Sequence, residues 1–509
     1  MFKIPINLLK IISKLEAENF EVFVVGGSVR DLLLKKEVVD WDLTTSAKPE
    51  EILKIFPDAK YKNDFGTVLI PEKYLISKQN LSEEESGFFE ITTYRKEGKY
   101  SDKRRPDEVI FAEKLEDDLK RRDFTINALA MGIKDVDNLL KTTKKTLIEV
   151  QKEQVEIVDK FQGQQDLKNK LIKTVGNPED RIEEDALRMM RAIRLAVQLG
   201  FQIEQEVFEI VSKKAINLKY VSKERVGEEL KKIILSPKPA RGVDLLVETG
   251  LMEYIIPEVK KTISVEQNRH HYHGPFNTVY KHMLASLEKC LSEKFEVRMA
   301  SFLHDIGKPG TKEGSGFEAS FHNHEYLGAK MAKKIMERLK FSREIIEKTV
   351  LLVKNHMFYY NVDEVGEAGV RKVVRKVGLE NIKDLIDVRI ADRLGSGVPK
   401  AVPYKLRHFK FMVEKVSKDP ISVKQLKING NDLIKELKLK PGPKLGAVLD
   451  VLLMEVIENP DKNTVENLLK RSKTLIKEDL NSLRDKAKSK IQTENKKQEE
   501  KMKKKHWVK

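Results

Sequence analysis

An α+β fold, in which a small mixed-sheet region precedes a much longer all-helical one, is predicted for this 509-residue chain. Two observations carry the prediction. Short apolar and β-branched runs recur up to about Gly132, among them Glu21–Val25, Thr67–Ile70, Phe88–Tyr94 and Val109–Ala112. From about Pro178 onward, apolar residues return almost without interruption at the 3.6-residue spacing of helices. At roughly 150 residues per domain, the length suggests three or four modules rather than one core.

Composition narrows the class. Hydrophobic residues are 40% and charged residues 35%, enough apolar material for globular cores under a charged surface. Lys and Arg number 96 against 80 Asp and Glu, a net +16 that points to a polyanionic partner such as nucleic acid. One cysteine, Cys290, excludes an internal disulfide framework and fits a reducing compartment. No apolar run approaches the ~18 residues of a membrane span. Lys3, Lys10, Lys14 and Glu16 interrupt any signal-peptide core. The expectation is a soluble cytoplasmic protein with no membrane partner; the sequence specifies no oligomeric state.

In chain order, residues 4–20 read as a helix with Leu8, Leu9, Ile11, Ile12 and Leu15 on one face. The run Val24-Val25-Gly26-Gly27-Ser28-Val29-Arg30-Asp31-Leu32 then goes strand, glycine pair, helix. Paired glycines let backbone N–H groups approach a phosphate, and a helix N-terminus adds a favourable dipole. Such turns often bind nothing, so the signal is weak alone. In Val38-Val39-Asp40-Trp41-Asp42-Leu43-Thr44-Thr45, Asp40 and Asp42 lie two apart on a strand-like run, so both carboxylates leave one face. They repel unless a cation sits between them, and Mg²⁺ suits such oxygens while leaving positions for a triphosphate. By itself, Asp-x-Asp reads as an exposed edge strand.

Together, Gly-Gly-x-Val-Arg-Asp and Asp-Trp-Asp-Leu-Thr resemble the polymerase-beta-like nucleotidyltransferases, specifically the tRNA CCA-adding enzymes and related bacterial poly(A) polymerases. Phe65-Gly66-Thr67-Val68, Glu90-Ile91-Thr92-Thr93-Tyr94-Arg95 and Arg121-Arg122-Asp123-Phe124-Thr125-Ile126-Asn127-Ala128 continue the likeness in family order over residues 24–128. The resemblance implies that Asp40, Asp42 and Glu90 are catalytic carboxylates holding Mg²⁺. It implies nucleotide binding at Gly26, Gly27, Ser28 and Arg30, and contacts from Arg122 and Asn127 to phosphate or sugar. Asp123 would help switch specificity. Segment 96–108 is similar to the mobile loop these enzymes use in changing from C to A, and its charge also fits any surface hairpin.

Farther on, Gly176-Asn177-Pro178 leads into an expected helix over Glu183–Leu199. There Asp185 and Arg188 stand i, i+3, with their heads side by side. An acceptor beside a fork of donors can read the Watson–Crick edge of C or A, whereas G and U would leave a buried charge unpaired. Taken alone, the pair reads first as an ordinary helical salt bridge. Glu184-Asp185-x-x-Arg188 resembles the nucleotide-reading helix of the same family, which implies that role for Asp185 and Arg188, with Arg191 and Arg194 as further nucleotide ligands. Glu224-Arg225-Val226-Gly227-Glu228-Glu229 resembles a later neck helix, with helix packing and exposed charges as its plain reading. Further helices are expected at Glu224–Leu235, Val279–Leu291, Glu325–Leu339, Arg343–Lys354 and Lys383–Leu394.

Eight of the ten histidines fall between His270 and His356, too clustered for random surface scatter. His282, His304-Asp305, His324, His356 and Asp392 lie in or at the ends of successive expected helices, a plausible origin for a one- or two-metal hydrolytic site. Leu303-His304-Asp305-Ile306-Gly307-Lys308, His324-Glu-Tyr-Leu-Gly328 and Ala391-Asp392-Arg393 are similar to the HD phosphohydrolase superfamily. That resemblance implies that His282, His304, Asp305 and Asp392 are core ligands of a divalent metal of unspecified identity, with His324 and His356 as the extra ligands of two-metal members. His270, His271, His273 and His322 receive no position. An HD domain kept only as a helical spacer is the competing reading.

Asn429-Gly430 and Lys440-Pro441-Gly442-Pro443-Lys444 resemble the body and tail of CCA-adding enzymes, where turns before helices could hold RNA phosphate; a helix–loop–helix junction is the even alternative. Residues 485–509 hold ten Lys against one Asp and three Glu, supplying +6 of the +16. Few apolar residues lie there, so a disordered tail is expected, acting as an RNA arm or a solubiliser.

The resulting organisation is a polymerase-beta-like head at 1–175, a helical base-reading neck at 176–262, an HD domain at 263–400, a tRNA-binding body at 401–484 and the tail. The implied activity is template-independent addition of C, C and A to tRNA from CTP and ATP. Alternatives are a poly(A) polymerase, an enzyme adding only CC or only A, and an HD hydrolase whose head merely binds RNA.

Overall fold

The structure is a computed structural model, and it describes residues 1–38, 40–63, 66–71, 87–96, 110–141, 146–267, 277–398, 402–417, 423, 426–437 and 441–508. Most of the 96–108 loop, with Val39, Phe65, His270, His271, His273 and Lys440, lies outside the described residues. The chain forms two compact units: Met1–Lys354 with Gly395–Gly397, and Asn355–Leu394 with Val398–Lys509.

The first unit begins with a strand, Phe2–Pro5, and the helix Ile6–Ala17, which buries Leu8, Leu9, Ile11, Ile12 and Leu15 as their spacing requires. The strand Leu147–Val150 completes this corner by pairing antiparallel with Phe2–Pro5. The main sheet has seven strands in the order Val155–Asp159, Leu129–Ile133, Val22–Val25, Asp42–Thr45, Phe88–Thr93, Thr67–Pro71, Lys60–Asn63. All its pairings are antiparallel except that between Asp42–Thr45 and Phe88–Thr93. This parallel seam sets Asp42 opposite Glu90 and Thr44 opposite Thr92. Ile110–Phe111, expected as part of the mixed region, leaves the main sheet and pairs with Arg95–Lys96.

The rest of this unit is mainly helical, as the spacing predicts, apart from a short parallel pair, Leu171–Ile172 with Gln202–Ile203, and with one correction. Glu183–Leu199 is two helices, Pro178–Glu184 and Leu187–Leu199. Asp185 lies between them with extended backbone (φ −146°, ψ 104°), and its carboxylate accepts the Leu187 N–H at 3.0 Å. An Asp side chain that caps the next helix competes with helix continuation, and here the cap prevails. The second helix buries Met189, Met190, Ile193 and Val197 and ends at Gly200, whose φ is +74°.

The second unit is entirely helical among the described residues. Its core lies around Pro443–Glu458, where Val448, Val451, Leu452 and Leu453 pack with Leu433, Leu468, Leu475 and Leu483. The Lys-rich tail corrects a second expectation: it is the end of a helix, Leu480–Lys505, not a disordered arm. Asp479 caps it by accepting the Asn481 and Ser482 N–H groups, each at 3.0 Å. Lys, Glu and Gln are good helix formers. Sparse anchors then suffice, because Leu483, Met502 and Val508 are buried and Glu414 binds Lys505 and His506 at 2.9 and 2.6 Å. No described helix is long and apolar enough to cross a membrane.

Candidate active site

Gly26 turns the chain from the Val22–Val25 strand into the helix Gly27–Leu33 with φ +71°, and a Cβ there would stand 2.8 Å from Arg122 Nη1. Only glycine satisfies both the backbone conformation and the guanidinium above it. Ser28, the second residue of that helix, is almost wholly buried. Its hydroxyl donates to the Asp40 carbonyl (2.9 Å) and accepts the Asp42 N–H (3.1 Å). Asp40 precedes the strand, which starts at Asp42, so this clip rather than strand alternation fixes the two acids relative to one another. With Glu90 they line one cleft of about 760 Å³. Three oxygen donors of this kind form a hard-ligand set that fits Mg²⁺.

Guanidiniums face these acids. Arg30 holds Asp31 through two bonds (2.9 and 2.8 Å) and donates to Asn127 Oδ1 at 2.8 Å. Asn127 in turn donates to Asp123, which also accepts Arg191 Nε at 2.7 Å. Burial opposes the charge on Asp123, yet Arg191, Asn127 and Arg188 hold its pKa down to about 2. Arg188, Arg191 and Arg194 recur every third residue along Leu187–Leu199, so they form a stripe beside its apolar face. Arg194 binds the buried Glu229 at 2.7 Å, while burial itself lowers the Arg194 pKa.

Every nucleotide-binding or catalytic residue expected from the sequence lines this cleft except Ser28, which lies behind it. The expected side-by-side pairing of Asp185 with Arg188 is replaced. Asp185 is gripped by Arg225 Nη2 at 2.6 Å and Nη1 at 3.3 Å, and Arg188 donates to the Arg181 carbonyl and to Glu184. Arg225, given no role from the sequence, therefore joins the cleft. Asp118 is a second residue without an expected role: fully buried, it binds Arg121 and Arg122. Its i, i+3 and i, i+4 spacing to those arginines was the available signal.

A second cluster in the first unit gathers His282, His304, Asp305 and His324, all buried. His282 Nε2 and His304 Nε2 are 3.0 Å apart and stand 3.4 and 3.3 Å from Asp305 Oδ2; His324 Nε2 is 3.2 Å from Asp305 Oδ1. His304 and His324 each donate Nδ1–H to the carbonyl three residues earlier, at 2.8 and 2.7 Å. That tautomer turns the Nε2 lone pair toward Asp305, the arrangement by which imidazoles are prepared for a metal. Mixed imidazole and carboxylate donors fit a transition-metal ion. Lys308 Nζ also contacts Asp305 Oδ2, at 2.7 Å. Despite burial, the Lys308 ammonium holds the Asp305 carboxyl well below the usual range. A Cβ on Gly307 would lie 2.3 Å from the His324 carbonyl, so only glycine lets the two segments meet. His356 and Asp392 belong to the second unit, where Arg389 reaches Asp392 at 3.0 Å; the expected ligand set is divided four and two between the units.

Comparison with known proteins agrees with the cleft. The family described as "Poly A polymerase head domain" matches residues 22–173, "Probable RNA and SrmB- binding site of polymerase A" matches 200–263, and "tRNA nucleotidyltransferase domain 2" matches 324–471. The CCA-adding enzyme of Ligilactobacillus salivarius is 31% identical over 475 residues, 92% of this chain and 96% of that protein. The CCA-adding enzyme of Streptococcus thermophilus is 29% identical over 462 residues, 91% and 94% of the two chains. The crystal structure of the Bacillus stearothermophilus CCA-adding enzyme in complex with CTP is similar at a TM-score of 0.57 and 25% identity, covering 92% and 97%. Fold and sequence define the class as a nucleotidyltransferase with a small mixed-sheet N-terminal region and a largely helical remainder. The chain belongs to the CCA-adding enzyme family.

Proposed function

We propose that this protein adds C, C and A to the 3′ end of tRNA from CTP and ATP without a nucleic-acid template. The RNA 3′-oxygen forms a bond to the α-phosphorus, the α–β phosphoanhydride breaks, pyrophosphate leaves and the hydroxyl proton passes to water. The observation that carries the reading is the meeting of Asp40, Asp42 and Glu90 with a bed of arginines in one cleft. Asp40, Asp42 and Glu90 would hold Mg²⁺, which activates the hydroxyl and neutralises the leaving group. Arg30, Arg122 and Asn127 bind phosphate or sugar, and Asp123 fixes both Asn127 and Arg191 in the cleft. Asp185 accepts the exocyclic amine that C and A share, while Arg188 or Arg225 donates to the neighbouring ring nitrogen. The test is extension of tRNA lacking CCA with Mg²⁺ and ATP, CTP or both. CC from CTP, and a single A only with both, is expected; a long A ladder from ATP would make the protein a poly(A) polymerase.

The tautomers of His304 and His324 favour a second activity. His282, His304, Asp305 and His324 would hold a divalent metal that supplies the chemistry of phosphoester hydrolysis, as in HD phosphohydrolases, and the expected roles of His356 and Asp392 go with that reading. Asp305→Asn should abolish metal-dependent hydrolysis of bis-p-nitrophenyl phosphate while tRNA extension continues. Wild-type protein inert with Mn²⁺, Ni²⁺ and Zn²⁺ would leave the region a helical spacer.

A further inference from the structure

We propose that Asp118 is a positioning residue for nucleotidyl transfer, fixing the Arg121 and Arg122 guanidiniums where the triphosphate of the incoming nucleotide lies. This rests on the transferase reading of the cleft.

Asp118 sits on the short helix Leu115–Lys120 and is wholly buried. Its Oδ1 accepts from Arg121 Nε and Nη2 at 2.9 and 2.6 Å, and Oδ2 accepts from Arg122 Nη2 at 3.2 Å. Both arginines line the cleft; Asp118 does not. It therefore touches no space a nucleotide could fill, and any effect it has on the reaction passes through its two partners.

The carboxylate is also tied to the catalytic seam. The Thr44 hydroxyl, which donates to the Thr92 carbonyl at 3.1 Å, stands 3.5 Å from Asp118 Oδ2. Thr44 is two residues beyond Asp42, so their side chains leave the same face of the sheet. One buried anion thus registers the arginines against the strand that carries Asp42. At the other side, Arg122 Nη1 approaches the Gly26 turn so closely that a Cβ there would meet it at 2.8 Å. A guanidinium carries five donors in a fixed fork, so holding one edge aims the remaining donors. Fixing two long side chains before the nucleotide arrives removes their ordering cost from binding. Charge balance agrees: burial works against ionisation, yet Arg121 and Arg122 hold the Asp118 carboxyl below its usual pKa.

The probe is inorganic pyrophosphate, used as a product inhibitor of tRNA extension by the full-length protein. Asp118→Asn, which keeps shape but loses charge, should weaken pyrophosphate inhibition about tenfold, the scale of one charge-assisted hydrogen bond. It should lower kcat/KM for CTP and ATP alike and leave the ratio between them unchanged. Asp118→Glu keeps the charge but displaces it by a methylene, and should weaken inhibition in the same direction even if the Asn variant does not fold. Combining Asp118→Asn with Arg121→Ala and Arg122→Ala should change the inhibition constant no further than the two arginine substitutions alone. Unchanged inhibition in the folded variants, or a further effect of Asp118→Asn once both arginines are removed, overturns the proposal. Failure of the wild-type protein to extend tRNA would instead overturn the transferase reading.

Discussion

Arg225 holds Asp185 through both of its terminal nitrogens, from a point forty residues farther along the chain. The acid proposed to read the base thus reaches the cleft already oriented by an arginine of another helix, Lys223–Ile234. Arg225→Ala should reduce preference for CTP and ATP over UTP and GTP by about tenfold to a hundredfold, the value of a charge-assisted bond. Competitive incorporation assays with mixed nucleotides would measure it, and unchanged selectivity would remove Arg225 from base reading.

Asp42 and Glu90 are register partners on the parallel seam, so neutralising either should affect transfer far more than folding. Asp42→Asn should slow tRNA extension on the order of 10²–10³-fold or more, as expected when a fixed electrostatic group is lost. Thermal melts should stay close to wild type, since neither residue is buried.

Gly26→Ala should reduce nucleotide addition at least about tenfold, because the new methyl displaces Arg122 and strains a positive-φ turn. Its KM for CTP and ATP should rise together, which steady-state kinetics on a CCA-less tRNA would reveal.

Asp123 couples the reaction cleft to acid stability. Its folded pKa of about 2 lies below the unfolded value near 3.9, so its contribution is complete above pH ~4 and lost as pH falls through about 2. The shift corresponds to about 2–3 kcal/mol. Urea unfolding should show Asp123→Asn less stable at pH 7 by roughly that amount or more, with the gap narrowing from pH 4 to pH 2.

Leu483→Ala should destabilise the second unit by about 2–4 kcal/mol, because this wholly buried side chain closes the core around Pro443–Glu458. Denaturant unfolding followed by amide exchange within 426–483 would show it. Behaviour like wild type would mean that the tail helix is dispensable for that core.

The sequence was informative where motifs follow one another in family order: these put Asp40, Asp42 and Glu90 with Arg188, Arg191 and Arg194, and all six line one cleft. Strand alternation, expected to align Asp40 with Asp42, does not do so, because Asp40 precedes the strand. The sequence was misleading where two local preferences competed. Asp185 has the spacing of a helical residue but the chemistry of a cap, and the cap prevailed. The tail has a disordered composition, yet its helix-forming lysines need only Leu483, Met502 and Val508 as anchors. Arg225 was invisible as a partner because no pattern in one sequence links residues forty apart. The histidine cluster was visible as composition; its tautomers needed the Ser301 and Phe321 carbonyls in place.

The arginines of the cleft are matched before any substrate arrives: Arg191 to Asp123, Arg194 to Glu229, Arg225 to Asp185. The resting cleft accordingly carries its own counterions and has little need to recruit them from solution. An entering triphosphate meets guanidiniums whose inner edges stay bound to carboxylates, so few condensed anions are shed and its affinity should fall only gently with added salt. Free phosphate or sulfate, too small to reach several of these guanidiniums at once, would gain little by entering. Selectivity against the commonest small anions is thereby written into the empty site.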